Sequence, residues 1–386
     1  MSKTIVIAGS LAQKPRQAGH TWQFLQYLLG FKRLGWDVLF IDRLEPEMCW
    51  DEAGQPCEIR QSVNLSYFLD VMRHFGLDDS FALICGPNRE FVGLSSEEVN
   101  ERTRNAEFLL NVMGFLTDEE ILSAAPRRVF LDTDPGFGQM WQDLGLASLF
   151  HGHDDYVTIA ENINESACGI PRCNLNWVTW RQPIVLEHWP ERNGSNSAFF
   201  TSIGSWRGPY SPIEYRGKTY GLRVHEFRKF LDLPQVSSER FQVALDIHSA
   251  ETKDLELLGA KGWSLSDPQV VARDPLTYKS YIQNSKAEFM ATKNIYVDTR
   301  SGWFSERSIC YLASGKPVLA QDTGIKELYP TGKGLLTFST IEEAVAGAEE
   351  ISANYAMHTR AARAIAEEYF DSDKVLPALL RKLNLA

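Results

Sequence analysis

The segment richest in chemistry runs over residues 298–324 and reads Asp-Thr-Arg-Ser-Gly-Trp-Phe-Ser-Glu-Arg-Ser-Ile-Cys-Tyr-Leu-Ala-Ser-Gly-Lys-Pro-Val-Leu-Ala-Gln-Asp-Thr-Gly. Arg300, Ser301 and Gly302 make a permissive loop, and Ser305 stands where the N-cap of a helix belongs. The next backbone N–H groups, those of Glu306, Arg307 and Ser308, then have no carbonyl behind them and face outward at the positive end of the helix dipole. Such an end takes phosphate, and Arg307 adds a forked cation. Ile309, Leu312 and Ala313 anchor the helix, Gly315 ends it and Pro317 opens a strand. Most N-cap serines serve only their own helix. What adds weight is Gln321-Asp322-Thr323-Gly324 at the strand's carboxyl end, where open α/β sheets take their ligands.

A second candidate lies at the other end of the chain. Ala18-Gly19-His20-Thr21 stands at a strand-to-helix junction, on the ligand side of a parallel sheet. A histidine there is suited to take a proton from a hydroxyl, although lone histidines also cap and pack locally. Asp132-Thr133-Asp134 follows another strand and reads as lining of the same cleft or as a partner of His20, with Asp134 the alternative base. His151-Gly-His153-Asp154-Asp155 has the outline of a metal motif but no further histidine at useful spacing, so no metal is assigned.

These residues need sheets whose strand ends meet. Ile5-Val6-Ile7-Ala8 ending in Gly9, a helical run with Trp22, Leu25, Leu28 and Leu29, and Val38-Leu39-Phe40-Ile41 make a βαβ unit. Further strands are predicted over 81–85, 111–115, 129–131 and 156–160, with helices over 65–75 and 97–110. After a Pro-, Trp-, Asn- and Gly-rich lapse over 181–196 a second series begins. Its strands are expected over 198–203, 241–245, 287–290, 317–320 and 335–338, and its helices over 222–230, 250–258 and 305–313. Helices over 341–354, 359–369 and 374–383 close the chain. The pattern predicts an α/β protein with two doubly wound, Rossmann-like domains facing across a cleft. Residues 1–182 form the first, 183–196 a linker and 197–368 the second, with the helix over 369–386 packing back on the first.

Composition narrows the partners. With 386 residues, 44% of them hydrophobic, the chain is long enough for two cores. A formal charge of −11 disfavours nucleic acid and anionic lipid as general partners. Six cysteines without a CxxC pair read as reduced thiols. The opening Met-Ser-Lys-Thr-Ile-Val-Ile lacks the shape of a signal peptide, and no run reaches the ~20 apolar residues of a membrane span, so a cytoplasmic protein is expected. Gly9-Ser10-Leu11-Ala12 lacks the GxGxxG spacing of a dinucleotide site, which argues against a dehydrogenase. The polar loop from Ser10 to Ala18 reads as a mobile acceptor lid or a disordered surface loop.

The run Ala-Ser-Gly-Lys-Pro-Val-Leu-Ala-Gln-Asp-Thr-Gly-Ile-Lys-Glu-Leu, followed by Gly334-Leu335-Leu336, resembles the donor-domain signature of GT-B glycosyltransferases over about residues 285–370. The resemblance implies transfer of a sugar from a nucleoside-diphosphate sugar, a co-substrate rather than a bound cofactor, to the hydroxyl of a small-molecule acceptor. It places Arg307 and Ser308, at the helix opening by Ser305, at the donor diphosphate, with Gln321, Asp322 and Thr323 near the sugar, and counts Arg300 and Gly302 among the donor-binding residues. Ser205 and Arg207, in the Thr201-Ser-Ile-Gly-Ser-Trp-Arg-Gly208 loop, are further donor-phosphate candidates. Trp263, Tyr278 and Tyr281 lie where such enzymes seat the base. Retaining members carry two glutamates eight positions apart, where this chain has Gly302 and Cys310. The expectation is therefore an inverting, metal-independent displacement with His20 as base, after the Gly-His pair of inverting members. An epimerase or hydrolase of the same fold, or a non-catalytic nucleotide-sugar binding protein, is the alternative.

Overall fold

Ile5, Val6, Ile7 and Ala8 are wholly enclosed because their strand lies in the middle of a sheet covered on both faces. In the computed structural model, which describes residues 3–192, 198–208 and 210–385, this is β1 (Thr4–Ala8). It is followed by β2 (Asp37–Leu44), β3 (Phe81–Cys85), β4 (Glu90–Gly93), β5 (Phe108–Val112), β6 (Arg128–Asp132), β7 (Asp155–Thr158) and β8 (Trp177–Thr179). The order across the sheet is β4-β3-β2-β1-β5-β6-β7-β8, and only β4 runs antiparallel to its neighbour.

The second half repeats the scheme with β9 (Phe199–Ser205), β12 (Arg240–Asp246), β13 (Ser264–Ser266), β14 (Ala287–Met290), β15 (Val318–Gln321) and β16 (Leu335–Phe338). These form a parallel sheet in the order β13-β12-β9-β14-β15-β16, while β10 (Ile213–Tyr215) and β11 (Lys218–Tyr220) make a separate ribbon. In each sheet the order reverses beside the first strand, between β1 and β5 and between β9 and β14. The gap that opens there at the strands' carboxyl ends is where parallel sheets hold ligands.

Several expectations need correction. The helix expected over 97–110 stops at Arg104, and Phe108–Val112 is strand, displacing the one expected over 111–115. All five residues of that strand are buried between β1 and β6, so burial in the sheet overrides local helical spacing. The linker is only partly loose: residues 193–196 lie outside the described residues, but Ile184, Val185 and Trp189 are buried. Trp189 packs 4.9 Å from Trp22 of the first helix (Ala18–Arg33), and an aromatic of this size contributes ~3 kcal/mol or more when enclosed. The loop after β1 is also fastened rather than free. Its Ala12 N–H donates to Asp42 (2.7 Å), and Asn64 donates to the Ala12 carbonyl (2.9 Å).

The helix Ser372–Lys382 lies against the first helix, tied by Arg33 to Asp373 at 2.9 Å. Gly30 permits that approach, since a Cβ there would meet Leu376 at 2.6 Å. The halves also meet through Asn162, whose amide donates to the carbonyls of Arg300 (3.1 Å) and Gly324 (3.3 Å). All six cysteines are free thiols, and no helix among the described residues is long and apolar enough to cross a membrane.

Candidate active site

The helix Glu306–Ala313 begins at the cleft with Ser305 in extended N-cap geometry (φ −70, ψ 135). The Ser305 hydroxyl makes no capping bond, and the first helical bond is from Ile309 N–H to the Ser305 carbonyl. The opening turn therefore keeps its donors for something else. Ser305, Glu306 and Arg307 line a cavity of about 350 Å³ together with Ser205, Asp246, Pro268 and Gln269. Arg307 is held from behind. Its Nε donates to Glu288 Oε1 (2.6 Å) and its Nη1 to the Ile203 carbonyl (2.7 Å), while Glu288 is wholly buried on β14. Arg223 adds a second buried cation, donating to Ser202 Oγ and the Ala291 carbonyl at 3.0 Å each. Burial, and then the charge of Arg307, depress Arg223 to about 9. Burial also pushes the Glu306 carboxyl up to about 7, even though Cys310 Sγ–H donates to it at 2.9 Å.

His20 faces this wall from the first turn of the first helix. Its Nε2 lies 3.1 Å from Ser10 Oγ and 3.2 Å from the Ser10 carbonyl. Burial, and then the nearby Lys14 charge, hold His20 down at about 3, so the ring is neutral at pH 7. Beyond His20 the cleft continues into a cavity of about 310 Å³, lined by Lys14, Phe115, Asp134, Lys293 and Tyr296. His20, Thr133, Ser205, Trp303 and Arg307 line both cavities and mark the point where they join.

Asp134 is not beside His20 as a partner. Its oxygens accept from Lys293 Nζ (3.0 and 3.1 Å), and Oδ1 also from the Tyr296 hydroxyl. Asp132 is structural: it accepts from Gln139 (2.6 Å) and Thr158 (2.8 Å), and burial raises it to about 7. His151 is exposed and His153 bonds Asn111 at 3.1 Å; among the described residues no cluster of three or more metal-ligating side chains forms.

The structure separates the remaining sequence candidates. Ser205, Ser305 and Arg307 share the cleft, and Arg207 reaches its outer cavity while paired with Glu251. Ser308 points inward to Met290 Sδ (3.1 Å). Gln321 is consumed by Glu226 (2.7 Å) and Thr292 N–H (3.1 Å), and Thr323 by the Trp303 carbonyl (2.6 Å). Asp322 caps its own turn at Gly324 N–H (2.8 Å). Arg300 pairs with Glu327 on another face, at 2.7 Å. Gly302, at φ +74, packs against Asn162, where a Cβ would come within 2.9 Å. These residues build the loop behind the cleft rather than its lining. Trp263 is likewise part of the second core, donating to the Leu231 carbonyl (2.9 Å), and Tyr281 bonds Gln242. Of the three aromatics expected at the base, only Tyr278 borders the cavity, and it is buried.

Sequence reasoning missed Gln23, Arg223, Lys293 and Trp303. Lys293 follows β14 at the strand-order reversal, a signal usable once the order is known. Arg223 carries no local signal, since its role comes from the gap left at Gly204.

No family model matches the sequence, and no curated relative does. Solved structures do resemble it along its whole length. An alpha-glucosyltransferase (AGT) in complex with UDP superimposes with a TM-score of 0.59 at 11% identity, covering 99% of this chain and 100% of that one. HepE from Anabaena in complex with UDP-glucose gives 0.57 at 12% identity, covering 99% and 100%. Sucrose-phosphate synthase from Thermosynechococcus elongatus gives 0.55 at 11% identity, covering 99% of each. The paired parallel sheets, the strand-order reversals that face each other and this full-length similarity establish that the chain has the GT-B fold of two-domain glycosyltransferases.

Proposed function

We propose that the chain is a glycosyltransferase that moves a sugar from a nucleoside-diphosphate sugar to a hydroxyl of a small-molecule acceptor, by an inverting displacement with His20 as base. The observation that carries this reading is the wall of Ser205, Ser305 and Arg307 standing across one shared cavity from His20. In this reading the diphosphate rests on the opening amides of the helix Glu306–Ala313, with Arg307 and Arg223 supplying the positive charge a metal would otherwise bring. The nucleoside extends along Asp246, Pro268 and Gln269, and the sugar lies under Trp303. The solved neighbours with UDP and with UDP-glucose support a nucleoside-diphosphate sugar as donor.

Transfer then needs one bond to form and one to break. The acceptor oxygen attacks the anomeric carbon, its proton passes to the His20 imidazole, and the electron pair of the breaking bond goes to the diphosphate. His20 at about 3 is by itself a poor base, because burial and Lys14 both oppose its charge. A bound diphosphate on the Arg307 wall facing His20 favours the imidazolium and raises His20, so the base gains strength when the donor arrives. Asp134, its oxygens engaged by Lys293 and Tyr296, acts on the acceptor side by positioning. The net charge of −11 favours a small acceptor over a nucleic acid, although AGT has also been solved with a 13-mer DNA.

Thermal-shift measurements with UDP and UDP-glucose test the donor half: stabilisation is expected and should vanish in Arg307→Ala. For the acceptor half, His20→Ala should keep donor binding and lose ~10²–10⁴-fold in turnover. Conversion of UDP-glucose with no acceptor present would instead favour an epimerase or hydrolase. A product whose anomeric configuration matches the donor, read by NMR, would remove the inverting mechanism.

A further inference from the structure

Lys14 is a cation of the cleft that makes no ion pair among the described residues. Lys14 leaves the loop after β1 and lays its ammonium 5.5 Å from the centre of the Phe115 ring, inside the outer cavity. Among the described residues its Nζ has no hydrogen bond or ion pair. Asp134 is near enough to act on its charge, but that carboxylate is already engaged by Lys293 and Tyr296. Asp42 is near as well, and it is consumed by Ala12 N–H, Gln13 and Arg43 N–H. Lys293 stands at the end of β14, 5.4 Å from the ring centres of both Phe137 and Tyr296. Two ammonium groups, one from each half of the chain, thus share one carboxylate over an aromatic floor. An ammonium taken out of water without a counter-ion is costly, and the open cavity is where a counter-ion fits.

We propose that Lys14 and Lys293 form an anion seat for the acceptor, holding a phosphate ester on it while its hydroxyl faces His20; this rests on the glycosyl-transfer reading. A phosphate ester suits the seat better than a carboxylate because its three terminal oxygens diverge and reach cations on opposite walls. The donor diphosphate is already provided for by Arg307 and the helix amides at the inner cavity, while Arg223 lines the outer cavity with the two lysines. Lys14, Phe115, Asp134 and Lys293 line the outer cavity and not the one that holds Ser305, Pro268 and Gln269. The seat therefore serves whatever enters beside His20 opposite the nucleotide.

The test is calorimetric titration of the full chain, saturated with UDP so that the donor phosphate positions are filled, with glucose 6-phosphate, inorganic phosphate and glucose. Glucose 6-phosphate and phosphate should bind, with glucose at least ~10-fold weaker than its phosphate ester. Lys14→Gln should lose ~10-fold or more for both phosphate probes, keep UDP affinity within about twofold, and recover in Lys14→Arg. A melting temperature for each variant separates loss of the seat from loss of the fold. Equal binding of glucose and glucose 6-phosphate overturns the seat alone. A Lys14→Gln variant that loses UDP as strongly as phosphate overturns it too, by assigning the lysine to the donor. A wild-type chain that binds no UDP removes the glycosyl-transfer reading and the seat with it.

Discussion

Replacing Glu288 by glutamine probes how the cleft's positive wall is kept inside the fold. The carboxylate is fully enclosed on β14, with Oε1 accepting from Arg307 Nε at 2.6 Å and Oε2 without a partner among the described residues. Glutamine keeps one acceptor for Arg307 but removes the charge, leaving Arg307 and Arg223 buried together with no carboxylate between them. It also puts an unsatisfied amide donor where Oε2 was. Loss of one partner of a buried pair costs ~3–5 kcal/mol, and because one hydrogen bond survives, about 3 kcal/mol is expected here. For a domain of this size that is a fall of about 6–12 °C in Tm. A control comes from Glu251→Gln, which breaks the exposed Arg207 pair and should cost no more than ~1 kcal/mol. The charge argument makes a second demand. A diphosphate restores the negative charge, so UDP should bind Glu288→Gln more tightly and, at one fixed UDP concentration, stabilise it by more than it stabilises the wild type in differential scanning fluorimetry. A Tm within about 2 °C of wild type, or an equal UDP shift in both, refutes the reasoning.

Gly204→Ala should weaken UDP about tenfold, because a Cβ there collides with Arg223 Nη1 and drives the guanidinium off Ser202; an unchanged Kd by calorimetry would count against Arg223 as a donor residue. Asn162→Ala removes both amide bonds that join the halves and should cost ~2 kcal/mol, seen as a lower denaturant midpoint with unchanged slope. Glu306, raised to about 7 by burial, is neutral below that pH and a carboxylate above it, beside the helix opening. UDP-glucose, whose diphosphate does not titrate there, should bind about tenfold tighter at pH 6 than at pH 8. Glu306→Gln should flatten that profile, and a pH dependence that survives the substitution would place the titrating group elsewhere.

Much of the scaffold was legible in the residues because buried parallel strands are written as short apolar runs. Phe81–Cys85, Ala287–Met290 and Leu335–Phe338 stand in the structure with the bounds their apolar runs suggest. The run over 108–112 was harder to read, since an apolar stretch following a helix keeps helical spacing and only pairing with β1 shows it to be strand. Ser305 with its helix, and His20 at its junction, were equally legible, because helix caps and strand ends are local features.

The lining of the cleft was a different matter. Gln321, Asp322 and Thr323 end a strand as their order requires, yet their side chains satisfy one another's surroundings rather than the cavity, since buried polar groups take the nearest partner. Arg223 and Glu288 lie far apart in sequence, and only the packing of β9 beside β14 brings both to Arg307. The Lys14–Lys293 pair likewise exists only because the two halves close on each other. By itself the sequence determined most of the strands and helix ends, the features governed by contacts near in the chain. Which charges face the ligand depended on tertiary structure, because desolvation and counter-ions are set by residues the chain brings together only on folding.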